Sequence, residues 1–311
     1  MIEVKNLTKL YGSHKAISDI SFTIDKNGVY GFLGPNGAGK STTLNIITGC
    51  LAATEGEVKI MGHDILEDAE KAKSHIGFLP ELPPVFPDMT PYEYLTFVAG
   101  IKNIEDTAEI EDCMQKTGVT PVKDRLIKNL SKGYRQRVGL AQAILGKPDI
   151  IILDEPTVGL DPKQIVDVRN LIAELGKEHT VILSSHILSE IQAICDKVLV
   201  ISRGKLVGFD TPEYFENELK GNPVFEIAAK ADEATVNEIL ETVEGIIEIK
   251  VAGKDADSCE FVIKASDEKV AEAIFAAFAK KGVILTKLVV KKESLENVFM
   301  KLTKQYSKEE K

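Results

Sequence analysis

The sequence predicts an α/β core followed by a small α+β domain, and three observations carry this reading. A glycine-rich segment, Gly34-Pro35-Asn36-Gly37-Ala38-Gly39-Lys40-Ser41-Thr42, joins a short apolar strand to a helix. A continuous apolar run, Ile150 to Leu153, reads as a buried parallel strand and ends in the acids Asp154 and Glu155. Residues 221–311 alternate in the order βαββαβ.

The first observation points to phosphate. Gly34 to Thr42 fits the pattern G-x-x-x-x-G-K-[ST], in which loop N–H groups surround phosphates, the lysine reaches the β and γ oxygens and the serine holds Mg²⁺. The strand before it is Val29 to Leu33; the helix after it runs from Ser41 to Thr48, with Gly49 as its stop. A helix N-terminus beneath the loop favours anions through its free N–H groups and its dipole. A ligand-free glycine turn is the alternative, but it does not account for Lys-Ser at the helix start. The core is thus a P-loop NTPase type.

Composition narrows the rest. A chain of 311 residues has room for two domains. A formal net charge of −10 argues against a broad nucleic-acid footprint. Cys50, Cys113, Cys195 and Cys259 form no C-x-x-C pair and read as reduced core residues of a cytoplasmic protein. Met1 to Lys5 already alternates like a strand, so no leader is expected there. No apolar run approaches the roughly 18 residues of a membrane span. A membrane role would come through a partner.

Taken in order, residues 1–33 read as strands with turns at Tyr11-Gly12 and Lys26-Asn27-Gly28, the start of an antiparallel β-subdomain. Tyr11, 23 residues ahead of Gly34, offers an aromatic face for an adenine ring. Gly56 to Gly62 reads as an edge strand and turn, and Ile76 to Glu81 as a strand stopped by Pro80. Four prolines between Pro80 and Pro87 then force a loop. Residues 91–145 read as helices without a strand, a helical subdomain inserted into the core. Near its end Ser131 suits an N-cap, with Val138, Ala141 and Leu145 continuing the helix. Because ligands sit at strand C-termini in such folds, Asp154 is placed to hold the Mg²⁺ shell and Glu155 to polarise an attacking water. Thr180 to Ser185 is a second buried strand, and His186 falls on the same edge, within reach of a γ-phosphate. Val198 to Ile201 and Lys205 to Val207 pair about Arg203-Gly204.

Together these residues resemble an ABC-transporter ATP-binding subunit, over residues 1 to about 218. The motifs are the P-loop Gly34 to Thr42, the signature Leu130-Ser131-Lys132-Gly133-Tyr134 placed 24 residues ahead of Glu155, the D-loop Gly159-Leu160-Asp161, and the switch histidine His186. The resemblance implies that two ATP-binding subunits, here expected as a homodimer, pack head to tail around two ATP–Mg²⁺. Ser131, Lys132, Gly133 and Tyr134 would then act in trans on the partner's nucleotide. It further implies a transmembrane permease as partner, reached through the loop around Glu81 and the helical subdomain, and a peripheral position on the cytoplasmic face of the membrane.

Two departures stand out. Glu81 occupies the position usually held by glutamine in the Q-loop, where the side chain contacts Mg²⁺ and the attacking water. Two unit charges 4 Å apart cost about 4 kcal/mol at an effective dielectric near 20, so Glu81 should ligate Mg²⁺, act through water or stay withdrawn. The usual Leu-Ser-Gly-Gly-Gln signature reads Leu-Ser-Lys-Gly-Tyr, and Lys132 would partly offset Glu81. Both strings resemble the branch that serves ABC-2-type exporters.

The expected domains are 1–220, with the helical subdomain at about 91–145, and 221–311, a ferredoxin-like accessory domain closed by a helix carrying Leu295, Val298, Phe299 and Leu302. Within it, Ile247, Ile249 and Val251 should share the buried face of one strand. Two rival functions stay open on sequence alone: a soluble ABC-type ATPase acting on nucleic acid or ribosomes, and a nucleotide-gated regulatory module.

Overall fold

A computed structural model describes residues 1–218, 222–254 and 258–291, which fall into two units, Met1–Pro212 and Glu213–Lys311. In the first unit, β1 (Ile2–Tyr11) and β2 (His14–Ile24) form an antiparallel hairpin closed at Gly12, whose φ of 60° suits a tight turn. The strand β3 (Gly28–Leu33) leads into α1 (Lys40–Ile47). The strands β4 (Glu55–Ile60) and β5 (His63–Asp64) complete a four-stranded sheet in the order β2-β1-β4-β5. The expected edge strand is therefore interior: β5 pairs with its outer side. Strand order comes from long-range hydrogen bonds that local pattern does not encode.

After α2 (Ala69–Ser74), the strand β6 (Ile76–Leu79) begins the outer edge of a second sheet. Residues 91–145 hold α3 (Pro91–Ile101), α4 (Thr107–Lys116), two short 3-10 turns and α5 (Lys132–Ile144), with no strand among them. Local chemistry starts each helix. Thr90 and Glu93 form a reciprocal capping box, the Asp106 side chain accepts from Ala108 N–H, and that of Ser131 accepts from Tyr134 N–H. The helix α5 lies directly on β6. A Cβ at Gly77 would sit 1.8 Å from the Ala143 carbonyl oxygen, so only glycine allows that approach.

The remaining elements are β7 (Ile150–Asp154), α6 (Pro162–Leu175), β8 (Thr180–Ser185), α7 (Leu188–Ile194), β9 (Lys197–Ser202) and β10 (Lys205–Asp210); α8 (Pro212–Glu218) begins at the last residue of this unit and belongs otherwise to the second. The second sheet runs β10-β9-β3-β8-β7-β6 and is parallel except for β10, which turns back through Arg203 and Gly204 at φ 48° and 77°. Parallel register aligns Leu33 with Ser185 and Asp154 with Ser184. The C-terminal ends of β3, β7 and β8 therefore open on one edge, where ligands bind in such sheets. A single core, including Leu7, Ile20, Phe32, Leu44, Ile152 and Ile201, joins both sheets to α1.

The second unit contains β11 (Val224–Ala229), α9 (Glu233–Glu241), β12 (Ile246–Lys254), β13 (Cys259–Ala265), α10 (Val270–Lys281) and β14 (Leu285–Lys291). Its antiparallel order β12-β13-β11-β14 is the ferredoxin-like arrangement. Phe225, Ile227, Phe261 and Ile263 pack there against Val236, Leu240, Ile274 and Phe278.

Two expectations need correction. Ile247 is exposed while Ile246 and Ile249 face the core, because a register shift between Ile246 and Glu248 on this edge strand breaks the simple alternation; Val251 is exposed too, beside a second shift between Val251 and Gly253. Cys50 is exposed just past α1, whereas Cys113, Cys195 and Cys259 are buried and free. The boundary expected at 220/221 and the closing helix at Leu295 to Leu302 lie outside the described residues.

Candidate nucleotide site

The loop between β3 and α1 is shaped by its glycines. Gly37 and Gly39 adopt φ of 79° and 107°, and a Cβ at Gly34 would lie 2.4 Å from the Ile201 carbonyl oxygen. No side chain caps α1 at Gly39, so its first-turn N–H groups stay available to an anion. Gly34, Pro35 and Ala38 form the back of the loop, where the Ala38 carbonyl accepts from Gly204 N–H at 2.9 Å and that of Pro35 from Ala38 N–H at 3.1 Å.

Lys40 is buried. Its Nζ donates to the Gly34 carbonyl at 2.8 Å and stands 3.8 Å from Glu155 Oε1. Burial lowers its pKa, opposed by the charges of Glu155, Asp154 and Glu81. Ser41 Oγ donates to Asp154 Oδ1 at 3.2 Å, and Ser184 Oγ donates to the same oxygen. That Ser184 oxygen also accepts the Glu155 N–H at 2.9 Å. Glu155 holds a left-handed backbone, φ 50°, and His186 Nδ1 lies 3.1 and 3.0 Å from its two carboxylate oxygens. An ionised carboxylate only accepts, so Nδ1 carries the proton.

These groups converge on a cleft of about 550 Å³ lined by Tyr11, Asn36, Gly37, Gly39, Lys40, Ser41, Thr42, Glu81, Glu155 and His186. Tyr11 is half exposed there, with Lys9 Nζ 5.4 Å from its ring centre. His14, Ala16 and Val158 also line the cleft and were missed in the sequence. His14 and Ala16 carry no motif; their place follows from β2 folding back beneath the loop, with the Ala16 carbonyl against Gly39. Ser184 was missed as well, although a serine at the end of an apolar strand is a visible signal for a buried polar partner.

Comparison with known proteins bears on this cleft. Residues 17–158 match the family described as ABC transporter. The linearmycin resistance ATP-binding protein LnrL of Bacillus subtilis (strain 168) is 30% identical, over 97% of this chain and 98% of its own. This chain belongs to the ABC transporter ATP-binding proteins. The bacitracin transport ATP-binding protein BcrA of Bacillus licheniformis is 38% identical over 67% of this chain and 68% of its own. Among solved structures, a dimeric ATP-binding cassette in a post-hydrolysis state bound to ADP and Pi is 27% identical with a TM-score of 0.63, covering 68% of this chain and 98% of that one. As an ABC ATPase the chain binds and hydrolyses ATP. Among the described residues no helix is long and apolar enough to cross a membrane.

The other ABC motifs gather elsewhere on the first unit. Ser131, Lys132, Gly133, Tyr134 and Asp161 are not among the residues lining the cleft. Asp161 Oδ1 accepts Gln164 N–H at 2.9 Å and caps α6. Gly133 backs onto Leu160 and Gln164, and the Lys132 chain lies against Gly159, where an added Cβ would meet its Cδ at 2.6 Å. Signature and D-loop are thus one packed cluster. Within one chain the charge of Glu81 acts on Lys40, and Lys132 lies over the D-loop.

Proposed function

We propose that this chain is the ATP-hydrolysing subunit of an exporter-type transporter, working as a pair around two ATP–Mg²⁺ and driving a membrane permease. The observation that carries the reading is the convergence of Lys40, the Ser41–Asp154 pair and the Glu155–His186 pair on one cleft at the ends of β3, β7 and β8. The names of relatives that concern bacitracin transport and linearmycin resistance support the exporter branch.

In this reading the α1 N-terminus and Lys40 neutralise the β- and γ-phosphates, and Tyr11 stacks on the base. Ser41 and Asp154 suit Mg²⁺: both offer hard oxygens, and they lie 3.2 Å apart beside the phosphate loop. When bound, the ion supplies charge neutralisation across the phosphate oxygens. Glu155 orients a water and takes its proton as the water oxygen attacks the γ-phosphorus and the bond to the β-phosphate oxygen breaks. His186 holds the Glu155 carboxylate through Nδ1 and leaves Nε2 for the γ-phosphate. Each Ser131 helix start would complete the partner's site, because its own chain packs the signature on the D-loop rather than in the cleft. Glu81, exposed in the cleft, reaches the Mg²⁺ or its waters.

The test is Glu155→Gln. Phosphate release should fall by about 10²–10⁴-fold, while fluorescent ATP still binds and ATP-dependent dimers accumulate in gel filtration. Hydrolysis at the wild-type rate would remove Glu155 from this role.

A further inference from the structure

We propose that Glu190, on α7, is a positioning residue for hydrolysis: it ties the turn carrying Glu155 to the strand end carrying His186. The proposal rests on the reading of that pair as the water-activating groups. Glu190 is 3% exposed, and a carboxylate that deep requires partners. It has three, from three segments. Thr157 Oγ1 donates to Oε2 at 2.8 Å, Ser185 Oγ donates to the same oxygen at 3.0 Å, and an Arg169 guanidinium nitrogen lies 3.5 Å from Oε1.

Each segment carries a working part. Thr157 stands two residues after Glu155, in the turn that becomes the D-loop. Ser185 immediately precedes His186. Arg169 lies on α6, the helix capped by Asp161, and forms an ion pair with Glu190, while its Nε has no hydrogen-bond partner among the described residues. The 3.0 Å contact between His186 and Glu155 is made by two residues from separate loops. The Glu155 N–H bond to Ser184 holds the backbone where the two loops begin, and Glu190 adds a second tie beyond it, through Thr157 and Ser185; a misplacement of about 1 Å in such a pair can cost on the order of 10²-fold in rate. Neither Thr157 nor Ser185 nor Glu190 lines the cleft, so ATP binding itself does not depend on them directly.

The experiment measures kcat, KM and fluorescent-ATP affinity for the full chain carrying Glu190→Gln, Glu190→Ala, Thr157→Val and the double variant Glu190→Ala/Thr157→Val, with thermal melting of each. Thr157→Val removes only the hydroxyl and keeps the shape, so it decides the matter even if the Glu190 variants fail to fold. Expected are a loss in kcat of roughly fivefold or more for Thr157→Val and roughly tenfold or more for Glu190→Gln, with ATP affinity unchanged within about twofold. The double variant should be no slower than Glu190→Ala alone, since both break one link. A folded Thr157→Val with wild-type kcat, losses that fall equally on ATP affinity, or multiplicative effects in the double variant would each overturn the proposal. Glu155→Gln run alongside separates the two readings. If it hydrolyses normally, the assignment of the catalytic pair fails; if it is inactive while Thr157→Val and Glu190→Gln behave as wild type, only the tie fails.

Discussion

Replacing Ser184 by alanine tests the polar centre of the site with a single oxygen atom. Ser184 is fully buried; its Oγ donates to Asp154 and accepts the Glu155 N–H at 2.9 Å. Alanine leaves that N–H without a partner, at about 1–3 kcal/mol, and removes a donor from a buried carboxylate, at about 1.5–3 kcal/mol. The two losses share one oxygen and do not add fully, so the gross cost is about 4 kcal/mol. Freed of Ser184, Glu155 can leave its left-handed φ of 50°, which returns roughly 1–3 kcal/mol of strain. The net loss is then about 2 kcal/mol, or roughly 4–8 °C in Tm for a unit of this size. Relaxation of Glu155 carries its carboxylate away from His186, so kcat should fall by more than tenfold even where stability falls little. Calorimetry of the full chain, read on the transition of the Met1–Pro212 unit, and steady-state phosphate release measure the two effects. Ser184→Cys, a weaker donor and acceptor, should fall between wild type and Ser184→Ala. A Ser184→Ala variant that melts within about 1 °C of wild type and turns over ATP at the wild-type rate would refute the reasoning.

Two further predictions concern groups outside the cleft. With a thiol-exchange reagent at pH 8, Cys50 alone should react in the native chain, and all four thiols after denaturation: Cys50 is exposed, burial pushes Cys113 up to about 12 and raises Cys195 as well, and Cys259 is buried. Mass spectrometry of the labelled chain checks this, and a second rapidly labelled site would contradict the burial described. Burial also raises Tyr94 to about 12, against about 10 in the unfolded chain. Above pH 10 the unfolded chain therefore sheds a proton that the folded chain keeps, and Tm should decline from pH 10 towards 12. Tyr94→Phe should flatten part of that decline while lowering Tm at neutral pH, because Gln142 and the Pro84 carbonyl lose its hydroxyl.

Much of this site is legible along the chain because its parts are local. The Gly34 to Thr42 loop depends on glycine conformations and a helix start separated by a few residues, and the Ser131 and Asp161 caps close within three. The buried β7 reads directly from its apolar run and its two acids. What failed was non-local. Cys50, though flanked by apolar residues, is exposed because the chain leaves α1 at Gly49, and β4 is interior because a two-residue strand pairs beside it. Ile247 lost its expected face to a bulge that no period-two pattern announces.

By itself the sequence determined which chemical groups are present: a glycine-rich loop ending in Lys40, a serine and an aspartate with hard oxygens, a glutamate and a histidine, each set by residue type and short-range geometry. The tertiary structure alone decided how they meet. Parallel register sets Asp154 beside Ser184, the fold of α7 buries Glu190 between the Glu155 turn and Ser185, and the packing of α5 on the D-loop keeps the signature out of its own cleft. Apart from the short Ser185–Glu190 link, those relations join residues about 30 positions apart, as Asp154 and Ser184 are, and hydrogen-bond register and core packing, which act over such separations, leave no trace in any short window of sequence.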